Sequence, residues 1–266
     1  MRVCKNVALQ RILPQHLYTN FTANLIFREI NPIFEPYKPF PKLLLIRKMT
    51  YIELNEHDMG YNKFKIEHLK DKLNLKVLNA YWLNTAVAEF SRDEILDSLL
   101  SEAPKNFLGS EKARSEFIVT PVLQALSRRN KGKFTIFSGY EFNIDKKVEL
   151  NGFCDFILSV PAANNFIIEA PAFFVVETKK TDIDDNAIAQ CAAELFAAQI
   201  FNAKNGKPQK AIYGTVTSGY TWIFLKLEGQ TLLVDPDPRY LSFTNPYQVM
   251  ATLQEILNDS LADINA

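Results

Sequence analysis

The sequence predicts an α/β fold: a central mixed β-sheet flanked by helices, with a mainly helical N-terminal extension. Three observations predict it. Residues 152–160 (GFCDFILSV) and 172–180 (AFFVVETKK) are nearly continuous apolar runs, as strands covered on both faces are. Helical periodicity stands before, between and after the strand candidates. From Ser110 onward the order reads helix, three strands, helix, two strands, which suits a mixed sheet with helices packed on it.

Each element has its own local signal. Residues 1–48 hold five of the thirteen prolines and show no regular period, so they read as a poorly ordered tail, or as a mis-called start with Met49 as the natural one. They lack the compact apolar stretch and cleavage site of a signal peptide. Residues 49–109 form the mainly helical extension, with Ser91 as N-cap and Glu94 completing a capping box before Ile95, Leu96, Leu99 and Leu100. Residues 110–266 form the main domain. Ser110 caps its first helix, whose apolar face carries Ala113, Phe117, Ile118, Val122, Leu123 and Leu126, and Pro121 predicts a kink or restart within it.

Residues 134–144 are the first strand candidate, with a bulge expected at Ser138-Gly139. Residues 186–203 are an Ala-rich helix ended by Asn205-Gly206-Lys207-Pro208. Residues 211–217 and 220–227 pair as a hairpin around Ser218-Gly219, Leu232-Leu233-Val234 adds a short strand, and 246–264 is a C-terminal amphipathic helix.

Composition narrows the chemistry. Lys+Arg and Asp+Glu balance at 30 each, so any polyanion must be met by a local patch rather than by bulk charge. Cys4, Cys154 and Cys191 form no CxxC pair, which excludes a zinc ribbon or disulfide framework; the latter two sit in apolar runs as core residues, and this usage fits a reducing cytoplasm. His16, His57 and His68 all precede the motif region, which argues against a Ser-His-Asp triad or a His-rich metal site. The glycines form neither GxGxxG nor GxxxxGK. No run reaches the roughly 18 apolar residues of a membrane span. The chemistry therefore falls to carboxylates, Lys, Gln, Ser, Thr or Tyr.

Charges embedded in the two apolar strands are the anomaly. Asp155 stands alone in GFCDFILSV. In AFFVVETKK, alternation puts Glu177 and Lys179 on one face with Phe173 and Val175. A buried carboxylate is costly unless it is paired or holds a metal. If the strands are neighbours, Asp155, Glu177 and a backbone carbonyl, that of Thr178, supply hard oxygen ligands for Mg²⁺, with Mn²⁺ as substitute. Lys179 then orients a water or stabilises developing negative charge. An isolated ExK is ordinarily a salt bridge at a strand end, but an Asp in one apolar strand, ExK in the next and a Gln in the following helix is a narrower pattern. Gln190 and Glu194 are i,i+4 neighbours. Gln190 reads equally as a site residue or a surface one, and Glu194 is expected on a solvated face.

Asp155 followed by Glu177-Thr178-Lys179 resembles the D…ExK signature of the PD-(D/E)XK nuclease superfamily, closest to the nuclease domains of type I restriction R subunits and their stand-alone bacterial relatives. Ser110-Glu111 with Pro121-Val122-Leu123-Gln124-Ala125-Leu126 resembles the family's opening helix, Gln190 its helix glutamine, and Gly214 to Gly219 with Trp222 its next strand and turn. The resemblance covers residues 110–233. It implies a restriction-endonuclease-like sheet, Mg²⁺ dependence, a nucleic-acid substrate with DNA before RNA, and Asp155, Glu177, Lys179, Gln190 and Glu111 as site residues. Cys154 departs from it, standing where the pattern has proline. The extra acid is open between Glu111, Glu116 and Glu141. A homodimer is left open, no membrane partner is expected, and the alternative is a non-cleaving nucleic-acid or protein interaction module on the same fold. Arg128, Arg129, Lys131, Lys133, Lys180, Lys204, Lys207 and Lys210 are the candidate phosphate-contacting rim.

Overall fold

The two apolar runs become central strands because most of their side chains are apolar on both faces and are covered on both. The computed structural model describes residues 60–83, 90–164, 166–181 and 183–265. These lie in one compact unit, Glu53–Ala266. The expectations for residues 1–48, the Met49 start, Cys4, His16 and His57 fall outside the described residues.

The elements are α1 (Ile66–Asp71), β1 (Lys76–Asn79), α2 (Glu94–Glu102), α3 (Glu111–Arg114, continued through a π-helical turn at Ser115–Val119 into Thr120–Asn130), β2 (Thr135–Glu141), β3 (Phe153–Ser159), β4 (Ala172–Thr178), α4 (Asp185–Lys204), β5 (Ile212–Thr217), β6 (Thr221–Glu228), β7 (Thr231–Val234), β8 (Arg239–Tyr240) and α5 (Tyr247–Ile264). The sheet runs β1-β7-β6-β5-β4-β3-β2, with β8 pairing β6. β4 with β5 and β1 with β7 are parallel; the other pairs are antiparallel. This is the expected mixed sheet flanked by helices. The N-terminal region is helical as read, but it also contributes β1, a four-residue edge strand too short to show a period of two.

Helices cover both faces. On one lies α4, whose buried Ala187, Ala189, Ala192, Ala193, Ala197 and Ala198 let its backbone come close to β4 and β5. Gly214 of β5 completes that approach: a Cβ there would meet Cys191 Sγ and a Leu195 methyl, each at 3.0 Å. Cys154 and Cys191 are buried free thiols, as expected. The other face packs Leu96 and Leu100 of α2, Ile118, Val122 and Leu123 of α3, and Val249, Leu253, Ile256 and Leu257 of α5 on Phe156, Leu158, Phe174 and Val176. Among the described residues no helix is long and apolar enough to cross a membrane.

The restart expected at Pro121 is present: the π turn at Ser115–Val119 precedes it, and the α-helix resumes at Thr120 with Pro121 in its first turn. Other local readings change. Gly139 has a positive φ of 59°, but the β2–β3 register passes through it unshifted from Ser138↔Phe156 to Tyr140↔Cys154, so the bulge expected there is absent. The shift lies instead between β3 and β4, at Leu158/Ser159. It sends Phe173 into the α2/α3/α5 core while Val175 stays under α4, so Glu177 and Lys179 share their face with Val175 but not with Phe173.

The cap of α2 also moves. Asp93, not Ser91, is the N-cap, its Oδ1 accepting the Leu96 N–H at 2.8 Å. Ser91 instead accepts a hydrogen bond from Arg129. Asp93 further receives Arg128 at 3.1 Å. Asp93→Ala should therefore cost about 1 kcal/mol of stability, against less than about 0.5 kcal/mol for Ser91→Ala, a surface change. Denaturant unfolding of the two variants measures the difference.

Candidate active site

The β3–β4 ladder ends at Phe156↔Val176, and the next residues outward on each strand are Asp155 and Glu177. There the pairing partner changes. The Thr178 N–H donates to Asp155 Oδ2 at 2.7 Å, so a side chain replaces the backbone acceptor that the neighbouring strand no longer offers. On its other edge β4 stays paired with β5 through Thr178↔Thr217, and the Lys179 N–H donates to the Thr217 carbonyl at 2.7 Å. Both bonds hold the Glu177-Thr178-Lys179 backbone rigid at the end of the central strands.

From that backbone Lys179 turns toward α4. Its Nζ lies 2.5 Å from Glu177 Oε1 and donates to Gln190 Oε1 at 3.0 Å. Gln190 Nε2 in turn donates to Glu194 Oε1 at 3.3 Å. α4 is placed for this by Asp184, whose side chain accepts the Ala187 N–H at 2.8 Å and starts the helix one turn before Gln190. The sequence-predicted Asp155, Glu177, Lys179 and Gln190 are thus brought together.

Glu194 overturns its expectation. It is fully buried rather than solvated, at 0% exposure. α4 is the helix laid flat on the sheet, and Glu194 shares its inward side with Cys191 and Leu195. An i,i+4 spacing places two residues on one face but does not say which face is inward, and the Ala-rich composition of α4 gave no contrast to decide it.

The three candidates for the extra acid separate. Glu111, in the first turn of α3, interacts electrostatically with both Lys179 and Asp155. Glu116 is an exposed partner of Lys112, and Glu141 is exposed and accepts from Asn143. Sequence reasoning passed over Arg114. Its guanidinium donates to the Leu108 and Ser218 carbonyls and lies 5.2 Å from the Tyr220 ring centre, fastening the turn that carries Glu111 to the β5–β6 hairpin. Tyr220 is thereby occupied by Arg114 and Phe243. Thr217 and Trp222 are buried; Thr217 Oγ1 accepts the Gly219 N–H and Trp222 Nε1 donates to the Gly219 carbonyl.

The candidate basic residues are spread over the domain. Lys204, in the last turn of α4, lies fourteen residues beyond Gln190, roughly 20 Å along the helix, and Lys207 follows the helix. Arg128 and Arg129 sit at the far end of α3 from Glu111, roughly 25 Å away, and are held by Asp93, Ser91 and Phe90. Lys210 pairs with Asp263 at the entrance of β5, the opposite end from Thr217. Of that group Lys180 alone adjoins the site in sequence.

Electrostatically the site has an excess of acid. Burial raises the Asp155 carboxyl above its usual range, against the Thr178 N–H and Lys179, which lower it. Glu177, 2% exposed, is pushed up to about 8, first by burial and then by Asp155, with Lys179 acting the other way. Burial, with Glu177 beside it, raises Glu194 well above the carboxylate range. Burial alone would lower the Lys179 ammonium, but the pair with Glu177 holds it above its usual value. Among the described residues no group of three or more His, Cys, Asp or Glu side chains gathers closely enough to hold a metal by itself. A site here would rest on Asp155, Glu177 and main-chain oxygen.

A scan against models of known protein families finds no match, and no curated protein matches the chain.

The raised Glu177 carboxyl has a consequence for stability. Its folded value of about 8 exceeds the ordinary 4.5, so the folded chain holds a proton that the unfolded chain releases between those values. Stability of the metal-free protein should therefore be greatest below about pH 4.5 as far as this group acts, and fall as the pH rises toward about 8. Thermal melts across that range should show the decline, and Glu177→Gln should flatten it. A wild-type profile equally steep in the variant would assign the decline to other groups.

Proposed function

We propose that this protein is a divalent-metal-dependent nuclease of the PD-(D/E)XK kind, hydrolysing phosphodiester bonds in DNA before RNA. The observation that carries the reading is the meeting of Asp155, Glu177 and Lys179 where β3, β4 and β5 end together. A fold of this class hosts many functions, so the argument rests on these side chains.

Asp155, Glu177 and the Thr178 main-chain carbonyl are the groups that would hold Mg²⁺, or Mn²⁺ in its place; they are hard oxygen donors of the type that ion takes. The fit is electrostatic: the half-buried Asp155 and the buried Glu177 carboxyls act on each other with Lys179 as their near cation, and both are pushed toward protonation. A divalent ion relieves that strain by restoring both to the ionised form. When bound, the ion would polarise the phosphate and lower the pKa of a water.

The chain's own groups supply the rest. Lys179 presents an ammonium at the sheet end, partly exposed at 23% of its side chain, where it can hold a water by hydrogen bond or balance charge on a phosphate oxygen. Gln190 fixes the side of the ammonium away from Glu177. Glu111, on the solvent side, adds a third acid able to accept a proton from a bound water.

One observation favours a second reading, an interaction module that does not cut. Lys179 already bonds Glu177 at 2.5 Å, the arrangement of a structural ion pair. Lys179→Met separates the two. On the nuclease reading it lowers single-turnover cleavage at saturating Mg²⁺ by on the order of 10²-fold, with nucleic-acid affinity little changed. As a structural pair its loss mainly lowers the melting temperature, because Glu177 is left buried and unpaired. Wild-type cleavage by Lys179→Met sinks the catalytic role of the lysine.

The metal has its own check. Asp155→Asn and Glu177→Gln should each weaken Mg²⁺ or Mn²⁺ binding in a calorimeter while the fold persists. Unchanged divalent affinity in both variants would end the metal assignment.

A further inference from the structure

The orphaned oxygen of Glu194 is the most costly polar feature beside the site. The side chain is fully buried, its Oε1 makes one hydrogen bond, to Gln190, and its Oε2 has no partner. A buried carboxyl so poorly satisfied is destabilising by its own account. The groups that press on it are Glu177 of β4, Asp155 of β3 and, more distantly, Lys179; Cys154, Cys191 and Tyr61 border it on the other sides. Among the described residues no cation bonds it directly, so it is not half of an ion pair there.

We infer that Glu194 is a positioning residue: by accepting from Gln190 it sets which end of that amide faces Lys179. The inference deepens the nuclease reading and rests on it for its effect on rate. An ammonium is only a donor, so Gln190 must offer Lys179 its oxygen. An amide on its own can rotate by half a turn and offer its NH₂ group instead, leaving donor against donor. Glu194 removes that freedom. With its Oε1 3.3 Å from Gln190 Nε2, the productive orientation makes two hydrogen bonds, and the flipped one sets donor on donor at Lys179 and gives up the Nε2 bond to Glu194 Oε1. The chain Glu194, Gln190, Lys179, Glu177 thereby gives the ammonium a second fixed acceptor besides its own carboxylate.

Two variants test this. Glu194→Met keeps length and helix preference but has no comparable acceptor, and Glu194→Gln keeps an acceptor oxygen. Three readouts are needed: solvent-exchange protection of the Gln190 side-chain amide protons by NMR, the split between kcat and KM for cleavage, and a thermal melt. Glu194→Met should lose the amide protection and lower kcat about tenfold with KM within about twofold, as for a contact that matters only in the transition state. Glu194→Gln should restore both. A Glu194→Met protein whose Gln190 amide stays protected overturns the inference, whether or not the protein cleaves. So does equal loss of kcat in both variants in step with their melting temperatures, which marks a merely structural role. If Glu194→Met does not fold, Glu194→Leu, which also lacks an acceptor, decides: a Gln190 amide that stays protected there refutes the positioning. Should wild type cleave no nucleic acid, the nuclease reading fails and the amide readout still decides how Gln190 is held.

Discussion

Everything around the candidate site answers to the burial of Glu177. A carboxylate at 2% exposure inside a fully buried strand must be neutralised, paired or bound to a cation. Lys179, two residues on and on the same side of β4, is the near solution. Because Lys179 is also the last group of that strand to reach solvent, its position ties the interior of the sheet to the surface. The Thr178 bond to Asp155 and the Lys179 bond to Thr217 hold the backbone on both sides of the pair. The sheet end is rigid where its charges are, and rigidity there is what a preorganised electrostatic site requires.

The helices are arranged around the same constraint. α4 comes close to the sheet because its inward side is mostly alanine and because Gly214 has no Cβ to hold it off. That closeness brings Gln190 within 3.0 Å of the Lys179 ammonium. A bulkier inward face would satisfy the hydrophobic core equally well and leave Gln190 out of reach. On the rim, Arg114 ties the start of α3 to the β5–β6 turn, and Glu111 faces the acids and lysine as a result. Gly219 allows that turn: it has φ 85°, and Ile118 packs where a Cβ would stand, at 3.0 Å.

Much of this was legible in the residues before any coordinates. The strands of the centre, the caps at Ser110 and the hairpin at Ser218-Gly219 follow from apolar runs and turn chemistry, which are local signals. Asp155, Glu177 and Lys179 stood out because a charge in a doubly covered strand is anomalous in one dimension as well as in three. What escaped was whatever depends on packing across long separations. β1 is a four-residue edge strand whose partner lies more than 150 residues away. Asp93 won the α2 cap over Ser91 because Arg129, from another helix, engages the serine. Glu194 sits on a helix with alanines on every side, so no hydrophobic stripe marked its inward face. The basic residues were grouped by type alone, and the fold spreads them over separate elements: Arg128 and Arg129 in the last turn of α3, Lys204 in the last turn of α4 and Lys210 before β5.

The spread of those basic residues has a physical implication for the nuclease reading. Asp155, Glu177, Glu194 and Glu111 face one near cation, Lys179, and the whole chain carries no net charge to attract a polyanion. Left to itself such a site repels phosphate. Burial, which raises the Glu177 and Glu194 carboxyls, lessens the repulsion without reversing it. The sign of the local field changes only when divalent charge is added. Metal and nucleic acid would then bind in a coupled way, each raising the affinity for the other by the same factor. The excess acid that strains the fold is, on this view, also what keeps phosphate out until a cation is in place.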